Sequence, residues 1–187
     1  MQVVHRLALA TVVFSSVAGA QQPTVEELLR RPPPTRSLSA EEAQRLTQLV
    51  VTLLDEKAGW GDRVMALNEL VQKVHHVACV PPLRFVALDE GEDANLRIHA
   101  ARGMLRLGPA ALLGDVLPLL SSKDSRVRLG AWEILVGQYP PGREFGYDVD
   151  PRKSPQDNAE AIRRWEKWWE ENKATFKIKL DPLRIIP

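Results

Sequence analysis

Apolar residues recur every three or four positions in two early stretches of the chain. The first stripe begins after Ser39, whose hydroxyl is suited to cap a helix, and the second follows Asp62, to which we assign the same role. The apolar positions are Leu46, Leu49, Val50, Leu53 and Leu54, then Val64, Leu67, Leu70, Val71 and Val74. This pattern predicts two amphipathic helices that form a pair.

Proline and glycine divide the next part of the chain. The Pro81-Pro82 dipeptide is predicted to end the first pair of helices, and a short helix is predicted over 83–88. Gly108 suits a helix C-cap and Pro109 the first position of the following helix. Pro118 is predicted to bend a short helix. These positions of proline and glycine predict antiparallel helix pairs.

The same helical sequence pattern occurs twice, over 93–101 and over 124–132. Arg97 and Arg128 lie 31 positions apart. The same offset superposes acidic, aliphatic and small residues: Asp93 on Asp124, Leu96 on Val127 and Ala100 on Ala131. A short period of this kind is typical of stacked helical repeats.

The pattern Asp-x-x-aliphatic-Arg-x-x-Ala, preceded by a short helix that ends in Leu-Leu, resembles the short bacterial form of the HEAT-repeat family. The resemblance covers about 62–138, with a poorer third copy at 61–66 in which Arg63 is displaced relative to the acid. It implies an all-α fold, an α-solenoid of stacked antiparallel helix pairs used for protein contacts. HEAT units of about 40 residues are longer than this period.

The C-terminal part contains a loop over 139–151 and a helix predicted from a cap at Ser154 to about Asn172. Its apolar face holds Ile162, Trp165, Trp168 and Trp169. Together with Tyr147, this run resembles a C-terminal element of exported bacterial HEAT-like proteins. Alternation over 175–180 predicts a short terminal strand, paired either with 145–148 or with the sheet of another protein.

The first residues are typical of a secretory signal. Residues 1–20 join a weakly basic start, an apolar run and small residues before Gln21, and an uncleaved anchor is the alternative. We therefore divide the chain into a signal peptide (1–20), a Pro-rich strap or linker (21–38), HEAT-like repeats (39–138) and a C-terminal loop, capping helix and short strand (139–187). The predicted location is the periplasm or the exterior, with no membrane span in the mature chain.

Charge and cysteine content narrow the classes of function. The chain has 25 basic and 24 acidic residues, and loss of Arg6 with the signal leaves them equal, so no basic footprint for nucleic acid is present. Cys79 is the single cysteine, which excludes an intrachain disulfide.

Few residues offer catalytic or metal chemistry. His75 and Cys79 have the spacing of one helix face, and with His76, or His99 as a further ligand, they are the one candidate metal cluster. Because no complete ligand motif is present, we predict no metal and no cofactor, and a buried Cys79. Asp148 and Asp150 lack the remaining positions of a calcium loop, and no catalytic motif occurs, so an enzyme is not predicted.

Six residues are candidates for partner binding. Arg97 and Arg128 form either a row of cations for an acidic partner or an intramolecular ladder of hydrogen bonds to an Asp or a loop carbonyl. Trp165, Trp168 and Trp169, with Tyr147 nearby, form either a docking surface or a lid that seals the end of the repeats.

These patterns predict a non-enzymatic exported module for protein interaction. An unknown protein or peptide is expected on the concave face of the inner helices. The alternative is an accessory subunit that positions an exported enzyme or cytochrome. A third possibility is an enzyme or metal binder that uses His75, His76 and Cys79.

Overall fold

The computed structural model describes residues 36–138 and 149–176, and its regular elements over those residues are all helical. The α-helices are α1 (Ala40–Leu54), α2 (Trp60–Glu69), α3 (Val80–Leu88), α4 (Ala94–Leu107), α5 (Ser125–Gln138) and α6 (Ala159–Asn172). Short 3₁₀ helices cover Val77–Cys79, Ala110–Asp115 and Leu117–Ser121. The all-α class is confirmed. The predicted signal peptide, most of the strap, Tyr147 and residues 177–180 of the predicted terminal strand lie outside the described residues.

The N-terminal end of α1 is fixed by a complete capping box. The Ser39 hydroxyl accepts the Glu42 N–H at 3.1 Å, and the Glu42 carboxylate accepts the Ser39 N–H at 2.9 Å. Arg36 donates two further hydrogen bonds to the same carboxylate, at 2.6 and 2.8 Å. The predicted cap at Ser39 is therefore confirmed, and Arg36 holds the incoming chain against it.

The start of α2 differs from the prediction. Gly59 occupies the N-cap position and the helix begins at Trp60, so the prediction that Asp62 caps it is wrong. Asp62 lies in the first turn instead, where the positive end of the helix dipole stabilises a carboxylate.

The end of α2 is also unusual. It continues into a π-helical turn over Leu70–Val74, which His75 ends with a left-handed φ of 44°. The Pro81-Pro82 dipeptide does not end this pair, as predicted, but lies in the first turn of α3. Proline is tolerated there because the first N–H groups of a helix have no intrahelical acceptor.

Helices that are consecutive in the chain pack as neighbours. α1 packs against α2, α3 against α4, and the 3₁₀ helix Leu117–Ser121 against α5, while α4 contacts both α2 and α5. We call α1, α3 and the 3₁₀ segment 110–121 the first helices, and α2, α4 and α5 the second helices. In the last pair the first helix is thus two short 3₁₀ helices, with Pro118 in the first turn of the second one rather than bending a single helix. Gly108 is the C-cap of α4, as predicted.

Two glycines set how closely the second helices approach each other. A Cβ on Gly130 of α5 would lie 2.5 to 2.7 Å from three side-chain carbons of Ile98 on α4. A Cβ on Gly103 of α4 would lie 2.7 Å from Val71, at the end of α2. The missing side chains therefore let neighbouring second helices pack at short range.

We predict that Gly130→Ala lowers the free energy of unfolding by about 1 to 3 kcal/mol, because the added methyl overpacks the contact with Ile98. The control is Gly61→Ala in α2, where nothing lies within 4 Å and the change should stabilise the helix slightly. Urea denaturation measures both. Equal stability of the two variants contradicts close packing at Gly130.

A second prediction concerns pH. Hydrogen bonds from Arg36, and then from the Ser39 backbone, lower the pKa of Glu42 from 4.5 to about 2. The ion pair therefore contributes fully above pH 4.5 and is lost as the pH falls toward 2. We expect Glu42→Gln to cost about 0.5 to 1 kcal/mol at pH 7, and this difference to vanish near pH 2. An equal cost at pH 7 and near pH 2 contradicts the ion pair.

Candidate interaction surfaces

Arginine near the start of α2 and α4 joins each of these helices to the first helix of its own pair. Arg63 Nε donates to the Leu53 carbonyl at 2.9 Å, and Arg97 Nε donates to the Ala87 carbonyl at 3.2 Å. Each acceptor is the penultimate residue of a first helix, ten positions before the arginine. The last carbonyls of a helix have no intrahelical donor and carry the negative end of its dipole, so a guanidinium there is favoured.

The same contacts correct the alignment of the first repeat. Arg63 is not displaced, because it makes the same hydrogen bond as Arg97 at an offset of 34 rather than 31 positions. Its two Nη atoms also bind the carboxylate of Glu92, which precedes α4, in an almost fully buried ion pair. Glu92 further accepts the Asp93 N–H at 2.9 Å. This carboxylate therefore joins the first helix pair to the second.

Arg128 has a related but different set of partners. Its Nη1 donates to the carbonyls of Ser122 at 2.8 Å and Lys123 at 2.9 Å, and its Nε donates to the carbonyl of Pro151 at 3.2 Å. Arg97 and Arg128 are both 5 % exposed and bound to carbonyls of the same chain. The Arg97 acceptor, Ala87, lies in the last turn of α3. The Arg128 acceptors are Ser122 and Lys123, just before α5, and Pro151 in the C-terminal segment. Partner binding at either arginine stays a prediction.

Further ion pairs connect equivalent positions of successive helix pairs. Arg84 on α3 binds Asp115 at 2.8 Å, and Arg102 on α4 binds Glu133 on α5 at 2.8 Å. The members of each pair are 31 positions apart, which is the period found in the sequence. Each bridge is partly exposed and contributes little free energy, but together they fix the register of neighbouring pairs.

The tryptophans of α6 are part of the hydrophobic core. Trp165, Trp168 and Trp169 are 0, 8 and 6 % exposed, and α6 packs on the 3₁₀ helix Leu117–Ser121. Trp168 and Trp169 each meet the Phe176 ring edge to face, at 5.6 and 5.7 Å between centroids. The indole nitrogen of Trp169 lies 2.7 Å from the position of a Cβ on Gly114. A partner that used these indoles would have to open the core.

Of the five exposed large apolar side chains in the described part of the chain, three lie on the second helices, and the other two are Val51 on α1 and Val77 in a 3₁₀ helix. Trp60 and Met65 of α2 are 56 and 63 % exposed, and Leu129 of α5 is 43 % exposed. Half-buried His99 on α4 is equivalent to Met65 at the offset of 34 positions. Burial and the Arg102 charge lower the pKa of His99, which favours the neutral imidazole. We call the exposed positions Met65, Leu129 and Glu133, with the half-buried His99 and Arg102, the second-helix face.

The candidate metal cluster of His75, His76 and Cys79 is not assembled. His75 and Cys79 are not on one helix face, because the chain leaves the helix at His75. His75 Nδ1 lies 3.0 Å from the Val71 carbonyl, and His76 uses Nδ1 for the Ala78 N–H and Nε2 for the Arg36 carbonyl at 2.7 Å. Within the described residues, no group of three or more His, Cys, Asp or Glu side chains is arranged to hold a metal ion.

Asn158 is a structural residue that the sequence analysis missed. Its side chain accepts the Asp150 N–H at 2.9 Å and donates to the carbonyls of Asp150 at 2.8 Å and Ser154 at 3.0 Å. The Asp150 carboxylate accepts the Arg152 N–H and so belongs to this turn. Because the turn occupies 150–158, α6 begins at Ala159 and not directly after a cap at Ser154.

The chain matches no family model, no curated protein and no solved structure. The resemblance to HEAT repeats therefore stays a prediction. None of the helices in 36–138 and 149–176 is long and apolar enough to cross a membrane.

We predict that Cys79 does not react with Ellman's reagent in the native protein at pH 8. Its side chain is fully buried, and burial raises the pKa of the thiol from 9.0 to about 12. One thiol per chain should appear on denaturation. As a control, Val77→Cys in a Cys79→Ala chain should react at once, because Val77 is 37 % exposed. Rapid reaction of native Cys79 contradicts the burial.

Proposed function

We propose that this chain is a non-enzymatic exported module for protein interaction, built as an α-solenoid of the HEAT type. The arginine contacts at equivalent places in α2 and α4, and the ion pairs at a spacing of 31 positions, support the stacked arrangement. A scaffold of this kind presents one side chain from each successive helix along a continuous surface.

The observation that carries the proposal is the exposure of Met65 and Leu129 on the second-helix face. Large apolar side chains gain free energy when a partner removes them from water, and methionine adapts to partners of different shape. Polar His99, Arg102 and Glu133 lie among them, as expected for an interface that is also stable in water. The partner is proposed to be a protein or peptide that lies across α2, α4 and α5.

The burial of the α6 tryptophans favours a role as a lid that seals the end of the repeats rather than as a docking surface. An accessory subunit that docked through those tryptophans would first have to expose them, which costs free energy. A partner that carries a cofactor and contacts the second-helix face would still make the chain an accessory subunit.

Site-specific photo-crosslinking tests the proposal. A photoreactive residue at position 65 or 129 should give one discrete adduct in the native host. The same residue at position 51 should give none, because Val51 is equally apolar and 50 % exposed but belongs to the first helix α1.

Met65→Glu should abolish the adduct formed at position 129, since the two positions are proposed to share one partner. Circular dichroism should show an unchanged helix content, because Met65 is 63 % exposed. Equal crosslinking at positions 51, 65 and 129 overturns the proposed face.

A further inference from the structure

Among the described residues, Arg97 is the one of these three arginines whose Nη atoms have no hydrogen-bond partner. Arg63 directs both Nη atoms to Glu92, and Arg128 directs Nη1 to two carbonyls. Arg97 donates only through Nε, to the Ala87 carbonyl, among the described residues. The side chain is 95 % buried, yet its Nη atoms are not fully enclosed and so reach solvent.

The sequence explains why no carboxylate of the described residues binds the Arg97 Nη atoms. Glu92 immediately precedes Asp93 at the start of α4, and the residue equivalent to Glu92 before α5 is Lys123, 31 positions later. Arg63 of the first helix pair therefore meets the Glu92 carboxylate, whereas Arg97 of the second pair has Lys123 at the equivalent position. A cation cannot accept the hydrogen bonds that the Arg97 Nη groups offer.

The carboxylate of Asp93, the N-cap of α4, binds other donors. Asp93 Oδ1 accepts the N–H groups of Asn95 at 3.0 Å and Leu96 at 3.2 Å, and the Trp60 indole N–H at 3.3 Å. Asp93 therefore acts as the cap of α4: its carbonyl accepts the Arg97 backbone N–H at 2.9 Å, but its carboxylate makes no hydrogen bond to the Arg97 guanidinium. Among the described residues, the Nη donors of this nearly buried guanidinium stay unfilled.

We propose that the Arg97 Nη atoms bind a carboxylate of an Asp or Glu side chain supplied by a protein partner. This inference rests on the proposed function, and it specifies an acidic segment as the partner's chemistry. A carboxylate matches the fork of a guanidinium and gains from the low dielectric around a side chain that is 5 % exposed. The internal pair Arg63–Glu92 is the pattern that the intermolecular pair would repeat.

The test uses the purified chain and a small probe, so it does not require the natural partner. The probe is N-acetylglutamate N-methylamide, and the neutral glutamine analogue is the matched control. Binding is followed by NMR through the Nε–H resonance of Arg97. We expect a saturable shift with the glutamate probe and none with the glutamine probe.

The variant Lys123→Glu places a carboxylate at the position equivalent to Glu92. It should raise Tm by about 2 to 4 °C and abolish the shift caused by the probe, because a carboxylate of the chain itself then binds the Arg97 Nη atoms. Lys123→Gln removes the same cation without supplying a carboxylate, so the shift should persist and Tm should not rise.

The proposal is overturned if both probes act alike, or if Lys123→Glu leaves either Tm or the shift unchanged. These outcomes do not depend on crosslinking at positions 65 and 129. Failure of the carboxylate site and failure of the second-helix face are therefore distinguishable.

Discussion

A guanidinium set against the last turn of the preceding helix is the contact on which the first two helix pairs depend. Burying an arginine is costly unless its donors find acceptors, and the end of a helix offers carbonyls that lack intrahelical donors. The Nε atoms of Arg63 and Arg97 bind such carbonyls, at Leu53 and Ala87, and the Nη atoms of Arg63 bind Glu92. Each contact ties the end of a first helix to the start of the second helix of the same pair.

Neighbouring pairs are joined by a different kind of contact. Gly103 and Gly130 remove side chains where second helices approach, and Ile98 fills the space at Gly130. Ion pairs on the surface, such as Arg102 with Glu133, align the pairs without contributing much stability. Arg63 with Glu92 is the exception, because this pair is buried and would be costly to break.

The sequence predicted those features that depend on local chemistry. The apolar stripes, the cap at Ser39 and the C-cap at Gly108 need only the periodicity and capping preferences of a helix.

The errors arose where distant contacts decide between local options. Asp62 and Gly59 can both start a helix, and proline can either end a helix or begin one, so tertiary packing decides each case. Arg63 was misaligned because two different offsets, 34 and 31, separate successive pairs. The spacing of ten residues from the penultimate position of the first helix to the arginine is the signal that would have found it.

The contact between Gly114 and Trp169 ties together two segments that are far apart in the chain. The indole nitrogen occupies almost the exact volume that a side chain at position 114 would need. During evolution neither position is free to change alone, since a larger residue at 114 expels the indole and a smaller one at 169 leaves a cavity. Divergent sequences with the same fold should therefore vary at these two positions in concert, so that the pair marks common descent where overall identity no longer does.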